Sequence, residues 1–270
     1  MKLILTLFIF LVGFLGFSQA NFRGIATYES KSDTKITISG MDEAQQEIFR
    51  KKMAKFNEIT FELQFSPTES IYKEVQKLEL NNKNSLGSSR NFDIKYKNLK
   101  DKVMLTETEM FEKAFLISEK LPEYNWKFIP ETKTIGNYSC QKAIAIIPVS
   151  EEEKADYEKQ LKEQEKNPTS FFVSYVPQEA IITVWFTADI PIANGPKDYW
   201  GLPGLILEIN DGNTVILCSK IVLNPKEKFK IKKPNKGKEI TRKAFDKIQS
   251  EKFESMKDGN GVIKIQAFQN

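Results

Sequence analysis

The sequence predicts a mainly β fold of the α+β class: a large curved antiparallel sheet, half-barrel-like, with a few helices packed on it. Three observations predict it. Period-two alternation recurs along the chain, most cleanly where Ile59, Phe61, Leu63 and Phe65 interleave with Thr60, Glu62 and Gln64. Turn-forming clusters such as Ser66-Pro67-Thr68-Glu69 and Asn210-Asp211-Gly212-Asn213 separate the apolar runs. Helical patterning is confined to three stretches, and one helix near each end of the chain is expected to lie against the concave face of the sheet.

Residues 1–20 read as a secretory leader. Lys2 is its charged end, Leu3 to Phe17 are apolar, and Ser18-Gln19-Ala20 supplies small residues for cleavage. The apolar run is shorter than the ~20 residues a bilayer crossing needs, so a cleaved signal peptide and a periplasmic or secreted product are expected. No integral membrane segment is expected after cleavage. Residues 21–270 suit one domain carrying a charged helical insertion near 150–168. With 40 basic and 36 acidic residues nearly cancelling, global charge implies no nucleic-acid partner.

In chain order, Arg23 to Ser30 reads as a first strand. A helix is expected from Asp42 to about Asn57, with Asp42 and Gln45 as a capping box and Ala44, Ile48, Met53 and Phe56 as its apolar face. The alternating strand 59–65 turns at Ser66 into a partner from Ser70 to Val75. Asn81 to Ser89 is a loop by composition, and strands are expected over 92–96, 103–108, 111–117 and 125–129. A long strand follows Gly136, with Tyr138, Cys140, Ile144 and Ile146 on one face and Lys142 interrupting it, either at the rim with its ammonium in water or paired. Residues 150–167, rich in Glu and Lys, read as a solvated helix. Strands resume over 171–175 and 180–187, and again over 205–209, where the turn 210–213 leads into a return strand to Leu223. Lys226 to Lys243 is strongly basic, either a solvated loop or a contact for an anionic surface or acidic partner. Ile240, Ala244, Ile248 and Met256 mark a last helix.

The chain is organised around residues 184–209, where an apolar run enters a loop dense in Gly, Pro and Trp and a second apolar run leaves it. Here Gly201-Leu202-Pro203-Gly204-Leu205-Ile206 stands intact, preceded by Tyr138-Ser139-Cys140-Gln141-Lys142-Ala143. On these two motifs the chain resembles the GLPGLI proteins of the Bacteroidetes, a family without an assigned activity. The resemblance implies export and an envelope role in company with outer-membrane receptors, and it carries over no catalytic residue. Independently of it, Pro203 suits a tight turn, and Gly204 is expected to take positive φ there.

The chemistry is bounded by one absence, since the chain contains no histidine. Imidazole-dependent triads and metal sites are excluded with it, and no metal or cofactor is expected. The candidate site is the signature loop itself: Trp185, Asp189, Pro191, Tyr199, Trp200, Gly201, Leu202, Pro203 and Gly204. Its aromatics either wall a groove for an apolar ligand or fold over the sheet as a lid that plugs the core. Cys140 and Cys218 either form a disulfide or are two separate buried thiols. The first expectation for function is a non-enzymatic protein binding an apolar ligand or acylated partner. The alternatives are an interaction module on an outer-membrane receptor or transporter, and a glycan hydrolase using carboxylates among Asp189, Asp198 and Glu208.

Overall fold

The computed structural model describes residues 22–32, 42–48, 58–75, 93–166, 176–227 and 229–256. The expected leader, the loop 81–89, the strand 171–175 and the tail after Gly259 lie outside them. Twelve strands form one sheet: β1 Gly24–Ser32, β2 Glu58–Phe65, β3 Glu69–Glu74, β4 Ile94–Asn98, β5 Val103–Met110, β6 Lys113–Lys120, β7 Lys127–Ile135, β8 Tyr138–Ile147, β9 Ala180–Thr187, β10 Leu205–Asn210, β11 Thr214–Leu223 and β12 Lys238–Thr241.

Their spatial order is β12-β6-β5-β4-β3-β2-β1-β11-β10-β9-β8-β7. Two meanders, β1 to β6 and β7 to β11, therefore meet along one antiparallel seam between β1 and β11. The expected wholly antiparallel sheet is corrected at one edge, where β12 runs parallel to β6. β12 was not foreseen, because Lys238-Glu239-Ile240-Thr241 offers a single apolar residue and no alternation.

The curvature follows from chain length. β6 and β7 stand ten inter-strand spacings apart in the sheet, roughly 48 Å if it were flat. The chain from Lys120 to Lys127 takes seven Cα steps and reaches about 25 Å at full extension. The sheet must curl until its ends approach, and the connecting strap runs across the concave side as a chord. It remains open, with two edges that are each blunted. β7 carries Pro130, a register shift between Ile129 and Thr132, and the charges of Lys127, Glu131 and Lys133, while β12 is only four residues long.

Cross-strand partners share a face, and on the concave one Tyr28, Phe61, Leu63, Phe65 and Tyr72 are buried together. Phe61 and Tyr72 stack at 4.8 Å between ring centroids. The opposite face of β4 to β6 has its own small cluster of Tyr96, Leu105 and Leu116, covered by Ile231. That contact corrects the solvated-loop reading of 226–243. The segment is pinned by Arg23 donating to the Phe229 carbonyl at 2.8 Å, by buried Pro234, and by Gly237, where a Cβ would stand 2.5 Å from the Ala114 carbonyl carbon.

The helix Arg242–Ser255 packs Phe245 against Phe115 and Ile117 of β6, as expected of a helix on the concave face. At the other end, residues 43–48 are helical and the Asp42–Gln45 box forms both of its hydrogen bonds. Ala44 and Ile48 are nevertheless exposed, so the expected apolar face is not packed there; Met53 and Phe56 lie outside the described residues. The helix Glu151–Lys166 is the expected solvated excursion, closed at its start by a capping box between Ser150 and Glu153.

Two further strand assignments need correction. On β8 the buried side chains are Cys140, Ala143 and Ala145, while Ile146 is exposed. Phe111 does not begin β6 but stands with Glu112 at the tip of a two-residue hairpin turn, with φ of 49° and 61°. The pairing of β5 with β6 forces that left-handed backbone, at a cost on the order of 1 kcal/mol per residue.

Candidate functional site

Residues 188–204 leave β9, cover the concave face and return into β10. Ile190, Ile192, Asn194, Tyr199 and Leu202 are buried, and so is Gly204. Of the other anticipated site residues, Trp185 and Trp200 are half-buried, whereas Asp189, Pro191, Gly201 and Pro203 face solvent. The loop thus divides into an inward set that fills the curl and an outward set along its rim.

The two signature glycines have different tasks, contrary to the expectation that Gly204 takes positive φ. Gly201 has φ +94°, and a Cβ there would make only ordinary van der Waals contact, 3.6 Å from Trp126 Nε1. Gly204 is needed for close approach, since a Cβ there would lie 2.0 Å from the Thr187 carbonyl oxygen. The loop closes back onto the end of β9 at that point, and only a residue without a side chain lets the two backbones meet.

The loop is held from below and above. Just past the loop's return into β10, the Tyr28 hydroxyl donates to the Ile206 carbonyl at 2.8 Å. Lys97 of β4, fully buried, donates its ammonium to the carbonyls of Gly195 at 2.6 Å and Tyr199 at 3.1 Å. From the strap, Trp126 Nε1 donates to the Trp200 carbonyl at 2.9 Å and Trp200 Nε1 donates to the Pro122 carbonyl at 2.6 Å. The Tyr124 hydroxyl donates to Asp198 at 3.0 Å, and its ring lies against Tyr199. Strap and loop thereby clasp each other across the mouth of the curl.

Lys97 is the residue that sequence reasoning missed. Burial lowers its pKa to about 7, with Lys95 acting in the same direction and Asp198 opposing. Lys95-Tyr96-Lys97 reads as an ordinary wet strand, and nothing nearby in sequence announces the loop that covers it. Around it the concave side keeps four buried polar atoms without a partner among the described residues: Ser70 Oγ, Tyr72 Oη, Thr106 Oγ1 and Asn194 Nδ2.

The remaining candidates have structural partners. Glu208 pairs with Lys133 at 2.6 Å, and Lys133 lies 4.4 Å from the centroid of the Trp185 ring. Lys142 takes the paired alternative, meeting Glu131 at 3.0 Å. Cys140 and Cys218 are both buried free thiols. Burial pushes them up to about 11 and about 12, so neither is a poised nucleophile. Among the described residues no group of three His, Cys, Asp or Glu side chains is placed to hold a metal ion. No helix there is long and apolar enough to cross a membrane.

No curated protein matches the chain. Among solved structures, it is similar to PNGF-II in two crystal forms, at 15% and 14% identity and a TM-score of 0.48, covering 84% of this chain and 32% of that one. The chain thus spans about a third of the PNGF-II chain. It is also similar to the lipoprotein LppX of Mycobacterium tuberculosis, at 10% identity and a TM-score of 0.26, covering 79% of this chain and 88% of that one. A family model described as a protein of unknown function (Porph_ging) matches residues 126–208, which run from the strap through both sequence motifs and the whole loop.

Proposed function

We propose that the protein is a non-enzymatic binding protein of the cell envelope, exported through its leader, in which the loop 188–204 is a displaceable plug. Its ligand is an apolar molecule or an acyl-bearing partner. The observation that carries this reading is the make-up of the concave side: an apolar interior whose main cluster is filled by an irregular loop, beside buried hydroxyls and an amide that have no partner among the described residues.

Magnitudes narrow the ligand. Four loop side chains, Ile190, Ile192, Tyr199 and Leu202, are buried in the curl, and at about 1.5–3 kcal/mol each they hold the loop down by roughly 6–12 kcal/mol. A ligand that takes their place must bury comparable apolar surface, and at about 0.8 kcal/mol per methylene that is an acyl chain of roughly 8–15 carbons. Ser70, Tyr72 and Thr106, which stay on the sheet when the loop moves, would meet its polar end.

Protein purified from its own cell envelope is expected to carry excess mass under native electrospray that disappears on denaturation. Trp200→Ala, which removes one half of the clasp that holds the plug closed, should make the plug easier to displace and raise the share of protein that carries this mass, while the circular dichroism of the sheet is retained. A bare native mass overturns the reading, and global unfolding of the variant makes Trp200 a structural residue.

A second reading, docking on an outer-membrane receptor or transporter, is favoured by one observation: the lysines of 226–238 are displayed on a pinned segment. Reversing the charge of Lys232, Lys233 and Lys236 is expected to abolish co-purification with such a partner.

A further inference from the structure

The tip of the β5–β6 hairpin serves neither the plug nor its clasp. A two-residue turn with positive φ at both positions is ordinarily built from Asn-Gly or Asp-Gly. Here it is built from Phe111 and Glu112, and the Phe111 ring is 41% exposed. A bulky aromatic in left-handed backbone, with part of its surface open to water, runs against turn preference.

Cations surround it. Lys113 closes the turn against Met110, and the Lys252 ammonium lies 5.5 Å from the Phe111 ring centroid. Met256, also 41% exposed, lies just beyond the end of the helix, four residues after Lys252. The pinned segment arrives at the same end of the sheet: Lys236 meets Glu109 of β5 at 3.7 Å, and Lys238 stands in register with Phe115 near the start of β6. The acids at this end are Glu109, which Lys236 pairs, and Glu112 itself, and the helix that carries Lys252 adds Glu251, which Lys247 pairs, and Glu254. Behind it the exposed lysines 230, 232 and 233 continue along the segment, and none makes an ion pair among the described residues.

We propose that this tip, Phe111 with Lys113, Lys236, Lys238 and Lys252 at the same end of the sheet, seats the protein on an anionic lipid surface. The exposed part of Phe111 enters the acyl boundary while the flanking ammonium groups remain at the phosphates. Rigid display distinguishes this from a solvated charge run, because Gly237, Pro234 and β12 fix the lysines in place. The assignment is independent of the plug and its ligand.

The test uses the full chain with Phe111→Cys carrying an environment-sensitive thiol dye; Cys140 and Cys218 are buried and stay unlabelled. Vesicles of phosphatidylcholine with 30% phosphatidylglycerol are expected to blue-shift the dye, and phosphatidylcholine alone is not. A dye at Asn213→Cys, on the β10–β11 turn, should remain unshifted. Changing Lys113, Lys236 and Lys238 to Gln should weaken binding by about 100-fold, at roughly fivefold per lysine. In unlabelled protein, Phe111→Asn with Glu112→Gly supplies the pair this turn prefers. It should keep the fold and lose at least tenfold of the binding that depends on anionic lipid. An unshifted tip dye, an equal shift with neutral vesicles or at residue 213, or full anion-dependent binding by the Asn-Gly variant overturns the proposal.

Discussion

Gly204→Ala is expected to destabilise the protein by about 3 kcal/mol or more, enough to unfold a marginal domain, while Gly201→Ala costs about 1 kcal/mol. The difference lies in what each methyl group meets. At 204 the new Cβ would stand 2.0 Å from the Thr187 carbonyl oxygen and 2.6 Å from its carbon. Both are backbone atoms of a paired strand, with no flexible side chain to give way, so the relief must come from moving β9 or the whole loop. At 201 the Cβ would fit in ordinary contact with Trp126 at 3.6 Å, and the penalty is the left-handed backbone alone, at φ +94°. Urea denaturation of the two variants checks this. Equal losses would mean that the contact at Gly204 relaxes freely.

The second large effect is a dependence of stability on pH centred on Lys97. Its folded pKa is lowered from 10.5 to about 7, first by burial. Between those values the unfolded chain binds the proton and the folded chain does not, so stability rises with pH across that window. At about 1.4 kcal/mol per pH unit the rise totals roughly 5 kcal/mol; below pH 7 the contribution is at its minimum and flat. This is smaller than the roughly 6–12 kcal/mol assigned to the loop's apolar anchors, so acid loosens the plug without expelling it.

The high-pH limb has the opposite sign. Burial raises the thiols of Cys140 and Cys218 from 9 to about 11 and about 12, and raises the buried phenols of Tyr28, Tyr72, Tyr124 and Tyr199. Their contributions are complete below the unfolded values of 9 and 10 and are lost above them. Maximum stability is therefore expected near pH 9. Lys97→Met should remove the rise from pH 7 to 9 and lose stability at pH 9, where the Gly195 and Tyr199 carbonyls are left without their donor. Denaturation midpoints from pH 5 to 9.5 settle it, and identical slopes in parent and variant would show that another group titrates.

How much of this was legible depended on whether the deciding partner was local. β2 was readable because one of its faces is wet, so burial imprinted a period of two. The turn at 210–213 was readable because its chemistry is its own: Asn210 and Asp211 cap it with their carboxamide and carboxylate oxygens, and Gly212 has φ +90°. Lys97 was not readable, because the acceptors that bury it lie about a hundred residues further along the chain. β12 and the covering role of Ile231 were missed for the same reason, since both are made by β4 to β6. Phe111 misled because an aromatic next to apolar residues suggests strand, whereas the β5–β6 register makes it a turn. The signature loop was recognised at once as the centre of the chain. Which residues point inward became visible only once the curl gave the loop a concave side to fill.

The seam between β1 and β11 has a kinetic consequence. Each meander is assembled from neighbours in sequence and can zip locally, but the seam joins Gly24 to Leu223 and Ser32 to Thr214. Closing it brings together segments about two hundred residues apart, the kind of non-local step that slows folding. Until β11 has been delivered, β1 remains an uncovered edge with Ala26 and Tyr28 turned toward an unfinished interior. A chain emerging amino-terminus first therefore carries a half-sheet that cannot be completed until more than two hundred residues have appeared. Refolding should accordingly show a fast phase in which the hairpins form, followed by a slow one in which the Trp126–Trp200 clasp closes and changes the indole fluorescence.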